Sequence, residues 1–263
     1  MNGEDALIEN AVISLVCPLC RGGLFFAKIV KSQGKVQRAS IQCEKCGNSF
    51  RVVARIPILL PPGSFADWTH PTVELLFGNI RRSLEELIKE YGVERIKEMY
   101  FALTRGECQP PVIVSDSPVD RKLISEGGHR ITKQAVRKHL ERIDKQCAGK
   151  RSIEEQVRRV VELKPRTVVD ACCVGGFFIA SLLKSFQGYE KLFSFDVDYH
   201  CSKRVEGIFR HFNVVDRSLP MVADVRRMPF PSNSIELVTT RYGFSHVLGY
   251  SKAIGEIYRV LQP

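Results

Sequence analysis

No stretch of this sequence approaches the roughly 18 apolar residues in a row that a membrane-spanning helix needs. The run IPILL at 56–60 is stopped at once by Pro61 and Pro62. MNGEDALIEN is acidic and polar and does not read as a secretory leader, so the expected compartment is the cytoplasm and no membrane partner is expected. Acid is scarce between Cys17 and Arg55, where Glu44 stands alone against Arg21, Lys28, Lys31, Lys35, Arg38, Lys45, Arg51 and Arg55. Internal repeats and low-complexity tracts are absent as well. What remains is an ordinary soluble composition, 44% apolar and 26% charged over 263 residues, enough for one large domain or two smaller ones.

The net charge of +10 is concentrated in that acid-poor stretch, and a local excess of base can bind a polyanion such as RNA. The chain has nine cysteines. In a cytoplasmic protein they point to metal sites or buried thiols rather than disulfides. Cys17 and Cys20 in SLVCPLCRGG, with Cys43 and Cys46 in SIQCEKCGNS, form two CxxC knuckles that together offer four thiolates, a set suited to Zn²⁺. LFFAKIV and VQRASIQC, separated by SQGK, predict a hairpin between the knuckles. Gly22, Gly23 and Gly47 allow the backbone to approach the sulfurs. A redox pair explains only one CxxC. With all four positions filled by protein, the metal is expected to be structural, and four thiolates around it partly neutralise the nearby bases.

The boundaries read as 1–63 for a zinc-ribbon domain, with IPILLPPG as a proline-rich exit, 64–150 for a helical connecting region, and 151–263 for an α/β domain. In the connecting region Val73, Leu76, Ile80, Leu84, Leu87 and Tyr91 recur at helical spacing, VERIKEMYFALTRG reads as a second helix, and a third covers about 131–147. Ser152 and Glu155 form a capping-box pattern for a fourth, running to about Leu163.

From Arg166 strand and helix patterns alternate: RTVVDAC, FFIASLLKSF, KLFSFDV, a helix near 200–211, PMVADV, SIELVTTRY and a last helix through SKAIGEIYRVL. Alternation of this kind predicts a parallel sheet with helices on both faces. Asp170 ends the first strand, Asp196 the second, and Asp224 follows the third. Strand ends along one edge of such a sheet face a shared crevice where nucleotides bind. A carboxylate after the second strand can accept from ribose hydroxyls, and one near the third from an adenine amino group. Two readings compete for the turn VVDACCVGGFF: a nucleotide loop that has lost two glycines, or a plain strand-to-helix junction.

On DACCVGG (170–176), MPFPSNSIELV (228–238) and IGEIYRVLQP (254–263), the chain resembles the class I S-adenosylmethionine-dependent methyltransferases, over about residues 166–263. The resemblance implies a Rossmann-like sheet, here stopping before the family's last strands, and S-adenosyl-L-methionine as cofactor. It implies contacts from Asp170, Cys172, Gly175, Gly176, Asp196, Val197, Asp224 and Val225. The family turn reads D/E-x-G-x-G-x-G; here Cys172 and Val174 replace two glycines, Gly176 is retained and Gly175 is added. Because a β-branched residue resists positive φ, Gly175 is expected to supply the needed conformation one position later. A zinc ribbon ahead of such a domain is also similar to ribosomal-RNA guanine methyltransferases, and the IPILL exit to small zinc-ribbon partners of methyltransferases.

The leading expectation is therefore a methyltransferase acting on RNA with the ribbon aiding recognition. One alternative is a small-molecule acceptor, and another a non-catalytic binding or assembly protein. No catalytic residue is assigned. TTRYGFSH holds the place of an N-P-P-Y/F sequence, so Arg241, Tyr242 and His246 are candidates to line an acceptor pocket. ELVTTRY is expected to be a sheet edge that a partner chain or self-association covers.

Overall fold

A computed structural model describes residues 12, 14–32, 35–53, 55–60, 150–174, 176–197, 199–241 and 250–263, with isolated positions 89, 92, 94, 137, 141, 244 and 247. Of the helices expected across 64–147, Lys89, Glu94, Arg137 and Glu141 are described and helical, while most of their residues and the exit at 61–63 lie outside the described residues.

The apolar alternation flanking the first knuckle produces β1 (Leu24–Ser32) and β2 (Lys35–Cys43), antiparallel to each other, and β3 (Ser49–Val53) follows antiparallel to β2. The segment read as a proline-rich exit is instead a strand, β4 (Ile56–Leu59). It lies antiparallel to β3 and parallel to β7 (Ser218–Ala223), with Ile58 opposite Val222 and Leu59 opposite Ala223. Ile56, Ile58 and Leu59 are fully buried, each contributing about 2 kcal/mol of transfer free energy. Burial on both faces explains why IPILL is a continuous apolar run without alternation.

The remaining elements are α1 (Lys150–Leu163), β5 (Thr167–Ala171), α2 (Phe177–Ser185), β6 (Lys191–Asp196), α3 (Tyr199–His211), a 3₁₀ turn (Val225–Arg227), β8 (Leu237–Thr240) and α4 (Tyr250–Val260). They complete one sheet in the order β1-β2-β3-β4-β7-β6-β5-β8, antiparallel up to β4 and parallel beyond it. The α/β class and the parallel C-terminal half follow the sequence expectation, and among the described residues β8 is an edge strand. One boundary differs. Ser152 lies inside α1, past its start, so it does not cap the helix.

Helices cover both faces because successive side chains of a strand point oppositely. Val169, Ala171, Phe193, Phe195, Leu219 and Met221 pack with Ala253 and Val260 of α4, and with Val12 and Leu15 ahead of the first knuckle. On the opposite face Val168 and Leu192 pack with Ile179 and Leu183 of α2 and with Val205 and Ile208 of α3.

A second tie joins the ribbon to α4. Glu256 accepts from Arg21 Nη2 at 2.7 Å, from Arg259 Nε at 2.8 Å and from the backbone N–H of Met228 at 2.9 Å. Arg21 Nη1 also donates to the Met228 carbonyl at 2.8 Å, and the N–H of Val16 to that of Pro229 at 3.0 Å. Burial pulls the Glu256 carboxyl upward, but the Arg259 and Arg21 guanidiniums overcome it and hold that carboxyl below its ordinary range.

Candidate functional sites

The four ribbon cysteines converge as their spacing predicts. All four Sγ atoms lie within 4.8 Å of one another, with Cys17–Cys46 at 3.7 Å and Cys20–Cys43 at 3.4 Å. A tetrahedral Zn²⁺ with Zn–S bonds of about 2.3 Å sets its sulfurs about 3.8 Å apart, so the cage fits that ion.

The two knuckles share one backbone design. The N–H of Arg21 donates to the Cys17 carbonyl at 2.9 Å and that of Gly47 to the Cys43 carbonyl at 3.0 Å, and both donors are left-handed, with φ of 63° and 70°. The glycine expected at the turn is thus present in the second knuckle, while Arg21 takes that conformation in the first. Gly22 serves close packing instead: a Cβ there would sit 2.6 Å from Lys45 Cβ and 3.0 Å from Cys43 Sγ. Side-chain donation from Asn48 to Cys46 Sγ at 3.2 Å lowers that thiol to about 6, whereas burial pushes Cys17 up to about 12.

The second site lies at the carboxyl ends of β5, β6 and β7. From β5 the chain moves outward to β6 and β7 and then returns to β8 on the other side, so β5 adjoins the point where strand order reverses. In the turn after β5, Cys172, Val174 and Gly176 have φ of 58°, 43° and 82°. These are the three positions at which the family pattern places glycine. The expectation that Val174 avoids positive φ is overturned: the valine itself is left-handed, at a cost of about 1–2 kcal/mol. Gly175, to which that conformation was assigned, lies outside the described residues. At Gly176 a Cβ would meet Ile208 Cδ1 at 2.6 Å and Val205 Cγ2 at 3.0 Å, so α2 can approach α3 only through glycine.

Asp196 is half-buried at the end of β6, and its Oδ2 accepts from the Val174 N–H at 3.0 Å, fastening the strained turn to the neighbouring strand. Asp170 is buried; its Oδ1 accepts from Thr239 Oγ1 at 3.0 Å, while Oδ2 has no hydrogen bond. Burial, reinforced by the charge of Asp196, raises the Asp170 carboxyl to about 7. Burial and then the charges of Asp196, Asp170 and Asp224 push the Cys172 thiol well above its ordinary value, so Cys172 stays protonated. Val197 is half-buried beside Asp196, and Val225 is buried at the start of the 3₁₀ turn.

Asp224 is buried after β7, where it caps that turn by accepting from the Arg226 N–H at 2.9 Å. The Arg226 guanidinium also clasps it, with Nη2 to Oδ2 at 2.8 Å, a pairing that sequence reading missed. Its only sequence signal was the i,i+2 acid and base in ADVRR. Arg241, a candidate for an acceptor pocket, spends Nη1 on Ser152 Oγ at 3.0 Å and Gln156 Oε1 at 2.9 Å, joining the end of β8 to α1. Tyr242 and His246 lie outside the described residues.

The donor set suits an adenosyl sulfonium in part. Left-handed positions open the turn, and the acids around Cys172 suit a cationic ligand. Asp224 does not fit as a free acceptor, because its carboxylate is engaged.

A parallel α/β sheet with a glycine-type turn after its first strand and acids at the next strand ends is the architecture of class I methyltransferases. Residues 168–263, about a third of the chain, match the methyltransferase domain family. The demethylmenaquinone methyltransferase of Lactiplantibacillus plantarum is 29% identical over 96 residues, covering 36% of this chain and 40% of its own. The malonyl-[acyl-carrier protein] O-methyltransferase of a Methylovorus species is 27% identical over 143 residues, 51% of this chain and 48% of that protein. The chain thus spans about half or less of these curated relatives. An S-adenosyl-L-methionine-dependent methyltransferase structure from Methanococcus maripaludis aligns at 19% identity and a TM-score of 0.41, covering 51% of this chain and 60% of that one.

Proposed function

We propose that the chain is an S-adenosylmethionine-dependent methyltransferase acting on RNA, with the four-cysteine ribbon holding structural Zn²⁺ and aiding substrate recognition. The observation that carries the methyltransferase reading is the turn after β5. Three left-handed residues at the family's glycine positions, two of them not glycine, keep a backbone shape at a cost in strain. Bound S-adenosylmethionine supplies an electrophilic methyl group. Asp196 is placed for its ribose, the 172–176 turn for its backbone approach, and Asp170 for its cationic end. The chain's remaining task is to align the acceptor and exclude water, which needs no dedicated base.

The RNA acceptor is supported by Lys28, Lys45 and Arg51, exposed on a ribbon whose fourth strand is hydrogen-bonded into the same sheet as the crevice. A small-molecule acceptor is the second reading, favoured by relatives named for demethylmenaquinone and for a malonyl-carrier ester. Filter binding across a salt series decides between them. RNA affinity that falls steeply with salt is expected, and no affinity, or affinity indifferent to salt, removes the RNA reading. Calorimetry with S-adenosylhomocysteine tests the enzyme itself; absence of binding would leave a methyltransferase-like binding or assembly protein. A covering partner at β8, from another chain or a second copy, is part of the same proposal, and sedimentation of the purified chain tests the self-associating form.

A further inference from the structure

The position of Asp224 after β7 is where an adenine amino group needs an acceptor, yet both its oxygens are already engaged by Arg226. Oδ1 accepts from the Arg226 N–H at 2.9 Å and from Arg226 Nε at 3.0 Å. Oδ2 accepts from the same Nε at 3.1 Å and from Nη2 at 2.8 Å. Three protons, on the Arg226 backbone N, Nε and Nη2, thus face the two oxygens, and of the about four acceptor directions a carboxylate offers they leave at most one for a further donor. The two side chains are 6% and 8% exposed, which keeps water from competing for the pair. A bidentate guanidinium in such surroundings outcompetes one neutral amino N–H for the same oxygen.

From this we infer that Arg226 is a specificity-determining residue: its guanidinium occupies the acceptor that would read the adenine amino group, so this crevice binds the nucleoside without reading that group. The inference rests on the adenosyl-binding reading above and concerns how the base is held. Asp196, the residue assigned to the ribose, is half-buried on another strand and accepts from the Val174 N–H at 3.0 Å.

The test compares two probes by calorimetry on the full chain, S-adenosylhomocysteine and its inosine counterpart, in which a carbonyl replaces the amino group. In the wild type both bind within about threefold of each other, a difference of well under 1.4 kcal/mol. Arg226→Ala frees the carboxylate, tightens the adenosyl probe by about tenfold and leaves the inosyl probe behind. Arg227→Ala, which removes an exposed neighbouring charge, changes neither. A wild type that prefers the adenosyl probe tenfold or more overturns the inference without any variant needing to fold. So does an Arg226→Ala protein, folded by circular dichroism, whose preference stays flat. Binding of neither probe to wild type or variant removes the adenosyl reading itself, and the inference with it.

Discussion

The two knuckles of the four-cysteine cage and the turn after β5 build the same kind of object from different sequences. Each bends the backbone through left-handed residues beside a charged or charge-binding centre. In the knuckles those residues are Arg21 and Gly47, and in the turn Cys172, Val174 and Gly176. The cage is specified by the side chains that do its chemistry, four sulfurs within 4.8 Å, so its spacing announces it. The turn is specified by backbone shape, which glycine usually advertises and here only Gly176 does. A site made of ligating atoms is legible from sequence, whereas one made of φ angles is legible only while its residues are the ones that reach those angles easily.

Removing the proposed metal ligands is the largest way to break this comparison. Cys43→Ser, or chelation of the wild type, unties both knuckles and the sheet edge they organise. A fall in Tm of about 10 °C or more is expected, with stoichiometric metal lost by elemental analysis. Because Arg21 follows the first knuckle and holds Glu256 and Met228, adenosyl affinity should fall as well. Intact adenosyl binding in the metal-free protein shows instead that the two sites are independent. Gly176→Ala is the matching injury to the turn. Its Cβ arrives 2.6 Å from Ile208 Cδ1 at a φ of 82°, so a loss of about 2–4 kcal/mol should appear in urea unfolding. A neutral result places the tolerance in a shift of α3.

The crevice acids give a smaller effect, with a definite sign. Asp170 holds its proton to about pH 7 in the folded chain, because of burial and the charge of Asp196, whereas an unfolded aspartic acid releases it near pH 4. Between those values the unfolded state binds fewer protons, so this group's contribution to stability falls as pH rises and levels off above about 7. Asp170→Asn removes the slope. Relative to wild type it should gain on the order of 3 kcal/mol between pH 4 and pH 8, read from parallel urea titrations. Equal slopes in the two proteins show that Asp170 is ionised throughout.

The parallel half of the sheet was legible because β5, β6 and β7 are apolar runs bounded by turns and separated by helical periods. IPILL was not, because Pro57 with Pro61 and Pro62 mimics a chain leaving a fold. A strand buried on both faces carries no alternation to contradict that impression. Ser152 misled in the opposite direction, since a good cap sequence was absorbed into a helix already begun at Lys150. The clasp of Arg226 on Asp224 was hidden by proximity. An acid and a base two residues apart are usually solvated neighbours, and only burial of both turns them into a lock.

Val174 offers the finest test, because it separates shape from side chain. At φ 43° a β-branched residue costs about 1–2 kcal/mol, and glycine would remove that strain while adding about 0.5–1 kcal/mol of unfolded-chain entropy. Val174→Gly should therefore stabilise the protein slightly, by about 0.5–1 kcal/mol or a few degrees in Tm. The N–H that Asp196 accepts stays in place, since every residue but proline retains it. If adenosyl affinity also rises, the valine side chain was intruding on the ligand, and the turn is a cofactor loop carrying a removable obstruction. If stability rises and affinity does not change, the backbone alone defines the site and the side chain lies off the ligand's path. A loss of stability means that valine packing outweighs its strain, and the left-handed turn is then held by contacts rather than tolerated in spite of them.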